Sequence, residues 1–385
     1  MQENPGADRR ARWAVAFVFL ANGMTIGAWA AHIPLVKERL GISHAALGLS
    51  LLAMALGALI AMPLAGPVIA RLGSAAVTRA ATIGFLVTFA LPILAPSPLL
   101  LAAALLFFGA ANGVLDVAMN AHGVMVEQRL GKPVMSSFHG MFSLGGLLGA
   151  GLAAALLPIM PPLAHAMLQT GIAVALGLTP LFFLLPGAAD SGNGEPAFAL
   201  PTRATVGLGL LAFLALTSEG AVLDWSALHL KDSLDLGAGM AATGFAAFSA
   251  TMAAGRFAGD FLRGHIGSVT LVRASAFLSA AGLAVALVAP WPALAILGFA
   301  VIGFGLSNLV PIFFGAAGRI HGQSAGAGIA AVATMGYAGF LTGPPVIGLV
   351  AEQANLTLAL GLIVLGCVVM GVFAAAVRPA GDEWN

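Results

Sequence analysis

Apolar residues in this chain come in long unbroken runs, separated by short stretches that hold its Arg, Lys, Asp, Glu and many of its Pro and Gly residues. The runs fall at 13–35, 45–69, 75–95, 99–125, 134–157, 163–186, 204–230, 238–262, 269–289, 293–317, 324–350 and 356–377. Each is close to the ~20 apolar residues that a helix needs to cross the hydrocarbon core of a bilayer. Strands of a membrane barrel would alternate polar and apolar positions, and these runs do not. The pattern predicts an all-α polytopic membrane protein with twelve spans. The stretch Arg9 to Ala31 has the basic-then-apolar character of a secretory signal, but eleven further runs favour an uncleaved first helix.

Composition supports that reading and removes several function classes. Of 385 residues, 60% are hydrophobic and only 8% charged, against about a quarter charged in soluble domains. The net charge is +1, with the basic residues scattered, so no basic face exists for nucleic acid. Cys367 is the single cysteine, which excludes an intrachain disulfide and a Cys/His metal cluster. No cofactor or metal is expected, and His32, His44, His122, His165, His229, His265 and His321 are expected to be structural or interfacial.

Orientation follows from the basic residues. With the N-terminus inside, Arg9, Arg10, Arg12, Arg71, Arg79, Arg129, Lys132, Arg203, Arg256, Arg263, Arg273, Arg319 and Arg378 are cytoplasmic, and Lys37, Arg39 and Lys231 are outside. Thirteen against three is a consistent positive-inside bias, predicting an inner-membrane protein with both termini cytoplasmic.

The chain also repeats itself. Gly73-Ser74 and Arg79-Ala80 recur as Gly267-Ser268 and Arg273-Ala274, 194 residues on; Ala95-Pro96-Ser97-Pro98 recurs as Ala289-Pro290-Trp291-Pro292, and Gly109 as Gly303, at the same offset. Trp29 and Ala31 fall on Trp225 and Ala227 at 196. Several matches in order indicate a duplicated six-helix unit. The expected division is an N-terminal bundle over 1–186, a cytoplasmic linker over 187–203 and a C-terminal bundle over 204–385.

Two six-helix halves, a central linker and the turn Gly66-Pro67-Val68-Ile69-Ala70-Arg71-Leu72-Gly73 resemble the major facilitator superfamily, across the whole chain. The family turn carries an acid before its arginine, which is missing here; the second-half counterpart, Gly255-Arg256-Phe257-Ala258-Gly259-Asp260, keeps one. The resemblance therefore implies a gating role for Arg256 and Asp260, and a less complete one for Arg71. The runs Ala111-Asn112-Gly113, Asp116-Val117-Ala118-Met119-Asn120 and Ser136-Ser137-Phe138-His139 are similar to bacterial permeases near the fucose:proton symporters.

No phosphate-binding loop is present, since the only Gly-Lys, Gly131-Lys132, continues into Pro133; transport is expected to be passive or ion-coupled. Gly322-Gln323-Ser324-Ala325-Gly326 fits a nucleophile elbow, but an apolar helix and a loop precede it where a strand is required, so no enzyme is expected.

Ionisable groups in a span are costly and call for a reason. Asp116 in the fourth run and Glu219 and Asp224 in the seventh are the candidate proton-coupling groups, because alternate drying and wetting of a carboxylate changes its proton occupancy. Asn112, Asp116 and Asn120 recur every four residues and share one helix stripe, facing either a cavity or, with Asp116 paired to His139, neighbouring helices. Asn22, Trp29, Asn112, Asn120, His139, Trp225, Asn308 and Tyr337 are the substrate-cavity candidates, with the two tryptophans placed either there or in an interfacial belt. Every Lys and Arg is expected at a span end or in a loop, which disfavours an anionic substrate; Arg256 is the residue that a shift of the eighth helix by one turn would bring inward. The sequence thus predicts a monomeric secondary transporter working by alternating access and symporting a small neutral metabolite, sugar-like through the resemblance, with protons. Proton-driven export of a drug or metabolite is the alternative within transport, and a non-transporting sensor or structural protein the alternative outside it.

Overall fold

The computed structural model describes residues 5–131, 134–185, 202–203, 205–320 and 325–378. Twelve helical segments follow one another: α1 Pro5–Leu40, α2 His44–Leu72, α3 Ser74–Leu94, α4 Pro98–Leu130, α5 Met135–Leu156, α6 Pro162–Phe183, α7 Val206–Leu234, α8 Ala238–Ile266, α9 Ser268–Val288, α10 Pro292–Ala317, α11 Ala325–Gln353 and α12 Leu356–Val372. They overlap the twelve apolar runs one for one; α1 begins eight residues before its run and ends five after it, and α4, α7 and α8 continue past theirs by about a turn. Among the described residues nine of the twelve, α1 to α7, α9 and α10, are long and apolar enough, by length and composition, to cross a membrane; α12, at 17 residues, is a shorter apolar helix. The predicted linker lies mostly outside the described residues, as do Gly322, Gln323 and Ser324 of the elbow.

Local sequence sets the helix ends, and the repeat is visible in them. Gly73 and Gly267 adopt φ of 82° and 74° just before α3 and α9, a backbone region that side chains disfavour. Pro98 and Pro292 open α4 and α10, where the missing N–H costs nothing. The Ser97 hydroxyl caps α4 and Asn355 caps α12, accepting from Leu100 N–H at 3.3 Å and Leu358 N–H at 2.8 Å. Pro92 has no N–H to offer Thr88, and α3 loses its regular bonding at Phe89. Pro311 does the same to Ser307, and α10 breaks at Ser307–Asn308.

The chain divides into two compact units. The first comprises Met1–Ile42, Leu49–Asn193 and Leu236–Ala246. Helices α1 and α5 cross closely, and a Cβ on Gly145 or Gly149 would overlap the carbonyls of Leu20 or Met24. The end of α6 is held by two side chains: Arg79 Nε donates to Leu181 O at 2.9 Å, and the buried His122 lies 2.7 Å from the Ser74 hydroxyl while accepting from Leu185 N–H at 3.2 Å. The start of α8 joins this unit through Ala242, packed on Ala31 and Ala153. The second unit comprises Ser43–Gly48, Gly194–Asp235 and Ala247–Asn385. Within it His44 Nε2 lies 3.1 Å from Asp232 Oδ2, and Ser43–Gly48 lies along α11, the Cβ position of Gly48 falling 2.6 Å from Pro344 O. Pro344 and Pro345 sit inside α11, which stays helical through them.

Candidate functional site

In the first unit a polar stripe runs along α4. Asn112, Asp116 and Asn120 are one helical turn apart and all half-buried. Asn22 of α1, 2% exposed, donates through Nδ2 to Asn112 Oδ1 at 2.9 Å. Asn120 Nδ2 donates to the Asp116 carbonyl at 2.8 Å and to its Oδ1 at 3.1 Å. These bonds orient the Asp116 carboxylate along its own helix and leave it partly open. His139 of α5 sets its ring edge against Phe19 of α1, with centroids 5.3 Å apart, and Phe19 stacks on Phe138.

The second unit holds the principal charged feature. Glu219 lies 13 residues into α7, Arg256 lies 10 residues before the end of α8 at Ile266, and Arg256 Nη2 approaches Glu219 Oε2 at 3.6 Å. At 1.5 Å per residue the two groups are about 20 Å and about 15 Å from the nearest helix ends. This corrects the expectation that every Lys and Arg stands at a span end, and it removes the argument against anionic substrates. Spacing alone missed it because α8 continues to Ile266, four residues beyond the predicted 262, so Arg256 lies deeper in its helix than the hydropathy edge suggests.

Small residues on α8 explain where Arg256 points. Ser307 and Asn308, at the break in α10, occupy the space that side chains on Gly255 and Gly259 would need. Asn308 Nδ2 donates to Gly255 O and to Ser307 Oγ, both at 2.9 Å, and Ser307 Oγ donates to Phe304 O at 2.7 Å. The Gly255/Gly259 face is thereby seated on α10, and Arg256, one residue on, turns towards α7. The pair is largely buried, with 12% of the Arg256 side chain and 16% of Glu219 exposed. Glu219 Oε1 has no hydrogen-bond partner among the described residues. Asp260 belongs to α8, but its side chain lies outside the described residues; Arg71 is exposed in the last turn of α2.

The remaining candidates are dispersed. Asp224 of α7 is 8% exposed and has no cationic partner among the described residues. Trp29 and Trp225 are fully buried, so in this structure neither ring reaches a membrane interface or lines an open cavity; Trp29 lies against Phe108 and Trp225 stacks on His44. Both indole N–H groups lack an acceptor among the described residues. Tyr337 is half-buried in α11. A feature that sequence reading missed is the buried pair of His32 Nε2 and His165 Nδ1, 2.9 Å apart between α1 and α6. Nothing in the spacing of two histidines 133 residues apart signals such a contact. Among the described residues no group of three or more His, Cys, Asp or Glu could hold a metal ion.

Residues 14–336 match the sequence profile of the Major Facilitator Superfamily. An uncharacterised MFS-type transporter of Yersinia pestis is 37% identical over 374 residues, covering 97% of each chain. Membrane protein MosC of Rhizobium meliloti is 34% identical over 373 residues, covering 94% of this chain and 88% of that protein. Among solved structures, the nucleoside transporter NupG superposes with a TM-score of 0.74 over 95% of this chain and 98% of its own, at 15% identity, a likeness of fold alone.

Proposed function

Since this chain belongs to the Major Facilitator Superfamily and is a multi-pass membrane transporter, not an enzyme, we propose that it is a secondary transporter symporting a small polar metabolite of sugar-like size with protons, by alternating access. The observation that carries the proton coupling is Glu219, a carboxylate held deep in α7 against Arg256. Taking up a proton releases that ion pair, and losing it restores the pair, so proton occupancy and local packing are tied together. Asp116 is the corresponding acid of the first unit, exposed enough to exchange protons and held by Asn120. The positive-inside bias favours insertion in the cell inner membrane with both termini cytoplasmic, and we take the two-unit chain to act as a monomer.

The test is uptake into proteoliposomes, screening sugars, sugar alcohols and sugar acids with a pH-sensitive dye inside. The wild type should concentrate its solute with acidification of the lumen, a protonophore should abolish accumulation, and Glu219→Gln should lose gradient-driven uptake while keeping exchange. Concentrative uptake by Glu219→Gln would remove Glu219 from the role. Reversed pH dependence would make the protein an antiporter, and solute binding without flux a sensor.

A further inference from the structure

We propose that Arg263 and Arg319, at the predicted cytoplasmic end of the second unit, form a binding site for a phosphate group, carried by the headgroup of an anionic lipid. Such a site is independent of the transported solute and of proton coupling.

Arg263 lies in the last turn of α8, and Arg319 lies two residues beyond the end of α10 at Ala317. Each by itself is explained by its helix, because cations are favoured near C-terminal carbonyls. That effect does not bring the two together. The place that a Cβ on Gly315 would take is 3.5 Å from Arg319 Nη1 and 3.9 Å from Arg263 Nη1, so the two guanidiniums flank one bare point on α10. Arg319 feels its neighbour: partial burial first, and then the charge of Arg263, hold its guanidinium below the usual arginine range. Among the described residues neither arginine forms an ion pair. Arg263 is also held in its pose, Nε donating to Ser268 Oγ at 3.1 Å, which leaves both of its terminal nitrogens to a ligand.

Like charges placed this way repel each other, and an anion between them turns the repulsion into two attractions. A phosphate group suits the arrangement, since it brings negative charge with several acceptor oxygens, and the planar fork of arginine matches it. Glycine at 315 keeps the space between the guanidiniums free of side chain, where any Cβ would touch both. The surroundings favour a lipid as the carrier. Both residues stand at helix ends, the level of the headgroups, on the side that holds the excess of Arg and Lys, where anionic lipids attract basic groups. The adjoining surface is apolar and open. Pro311, one turn before Gly315, is exposed, and Ile329 of α11, 37% exposed, comes within 3.2 Å of the Cβ place of Gly318. A ligand with a charged head and a hydrocarbon tail matches both parts.

The test is thermal unfolding of the full-length protein in detergent, with phosphatidylglycerol added to one series, phosphatidylcholine to a second, and sodium phosphate against sodium chloride at equal ionic strength in a third. Phosphatidylglycerol should raise the melting temperature of the wild type by several degrees and saturate, while phosphatidylcholine, whose phosphate is neutralised by its own choline, should not. A shift produced by sodium phosphate without lipid would support the phosphate site and make free phosphate its ligand. Arg319→Gln should melt at or above the wild type in the absence of phosphatidylglycerol, because the repulsion is relieved, and should lose the shift. Gly315→Leu keeps both charges but fills the space between them, and it should lose the shift too, whereas a diffuse attraction of basic residues to anionic micelles would survive it. A wild type indifferent to both phosphatidylglycerol and phosphate, or a shift that persists in Arg263→Gln/Arg319→Gln or in Gly315→Leu, would overturn the assignment.

Discussion

Neutralising one member of the Glu219–Arg256 pair should cost far more than neutralising both. Two unit charges 3.6 Å apart attract by about 4–5 kcal/mol at the effective dielectric of about 20 that suits protein sites. Removing one partner forfeits that attraction and leaves the other charge inside a span, a loss of about 3–5 kcal/mol where buried pairs have been broken. Removing both also deletes the desolvation penalty, so the double variant should lie within about 1 kcal/mol of wild type. We therefore expect Glu219→Gln and Arg256→Gln each to destabilise strongly, and the double to recover most of the loss. The coupling between them should be about 3 kcal/mol or more, at the upper end for contacting residues. Reversible unfolding in mixed micelles, followed by circular dichroism for all four proteins, measures the cycle directly. Additive single losses, or single variants within about 1 kcal/mol of wild type, would show that the pair is too well hydrated to act as a buried ion pair.

Two further perturbations test the packing around the sites. Glu127 Oε2 accepts from Val134 N–H at 2.6 Å and Met135 N–H at 2.9 Å, so Glu127→Ala should uncap α5 at a cost of about 1–2 kcal/mol, read as a drop in melting temperature. The Cβ position of Gly298 lies 2.6 Å from both Gly282 O and Ala286 N, and that of Gly361 has nothing within 4 Å; Gly298→Ala should therefore cost about 1–3 kcal/mol by prising α10 from α9, whereas Gly361→Ala should leave the melting temperature unchanged or raise it.

The helices were legible because hydrocarbon imposes a length and a composition on each, and no neighbour is needed to read them. Helix punctuation was equally local: Gly73 and Gly267, or Pro98 and Pro292, announce the same corner in both halves. The contacts of charged and polar groups were not local. Whether Arg256 stands at a surface or inside a span depends on Glu219, 37 residues earlier on another helix, and hydropathy is silent about such pairs. Asn22 and Asn112 were both recognisable as polar residues in spans, but not as partners of each other. Glu127 falls just past the fourth apolar run, and nothing local announces its role, because the N–H groups it caps lie across the turn at Gly131. The alternatives held for Trp29 and Trp225 depended on depth, and both rings are enclosed by residues from other helices.

The fracture at Ser307–Asn308 does more than interrupt a rod. Because the Asn308 carboxamide grips the main chain at Gly255, the lever formed by Leu309–Ala317 cannot swing without tugging the residue beside Arg256. The break in one rod and the main chain that carries the guanidinium facing Glu219 are therefore mechanically tied, so that a displacement of the one would be felt at the other.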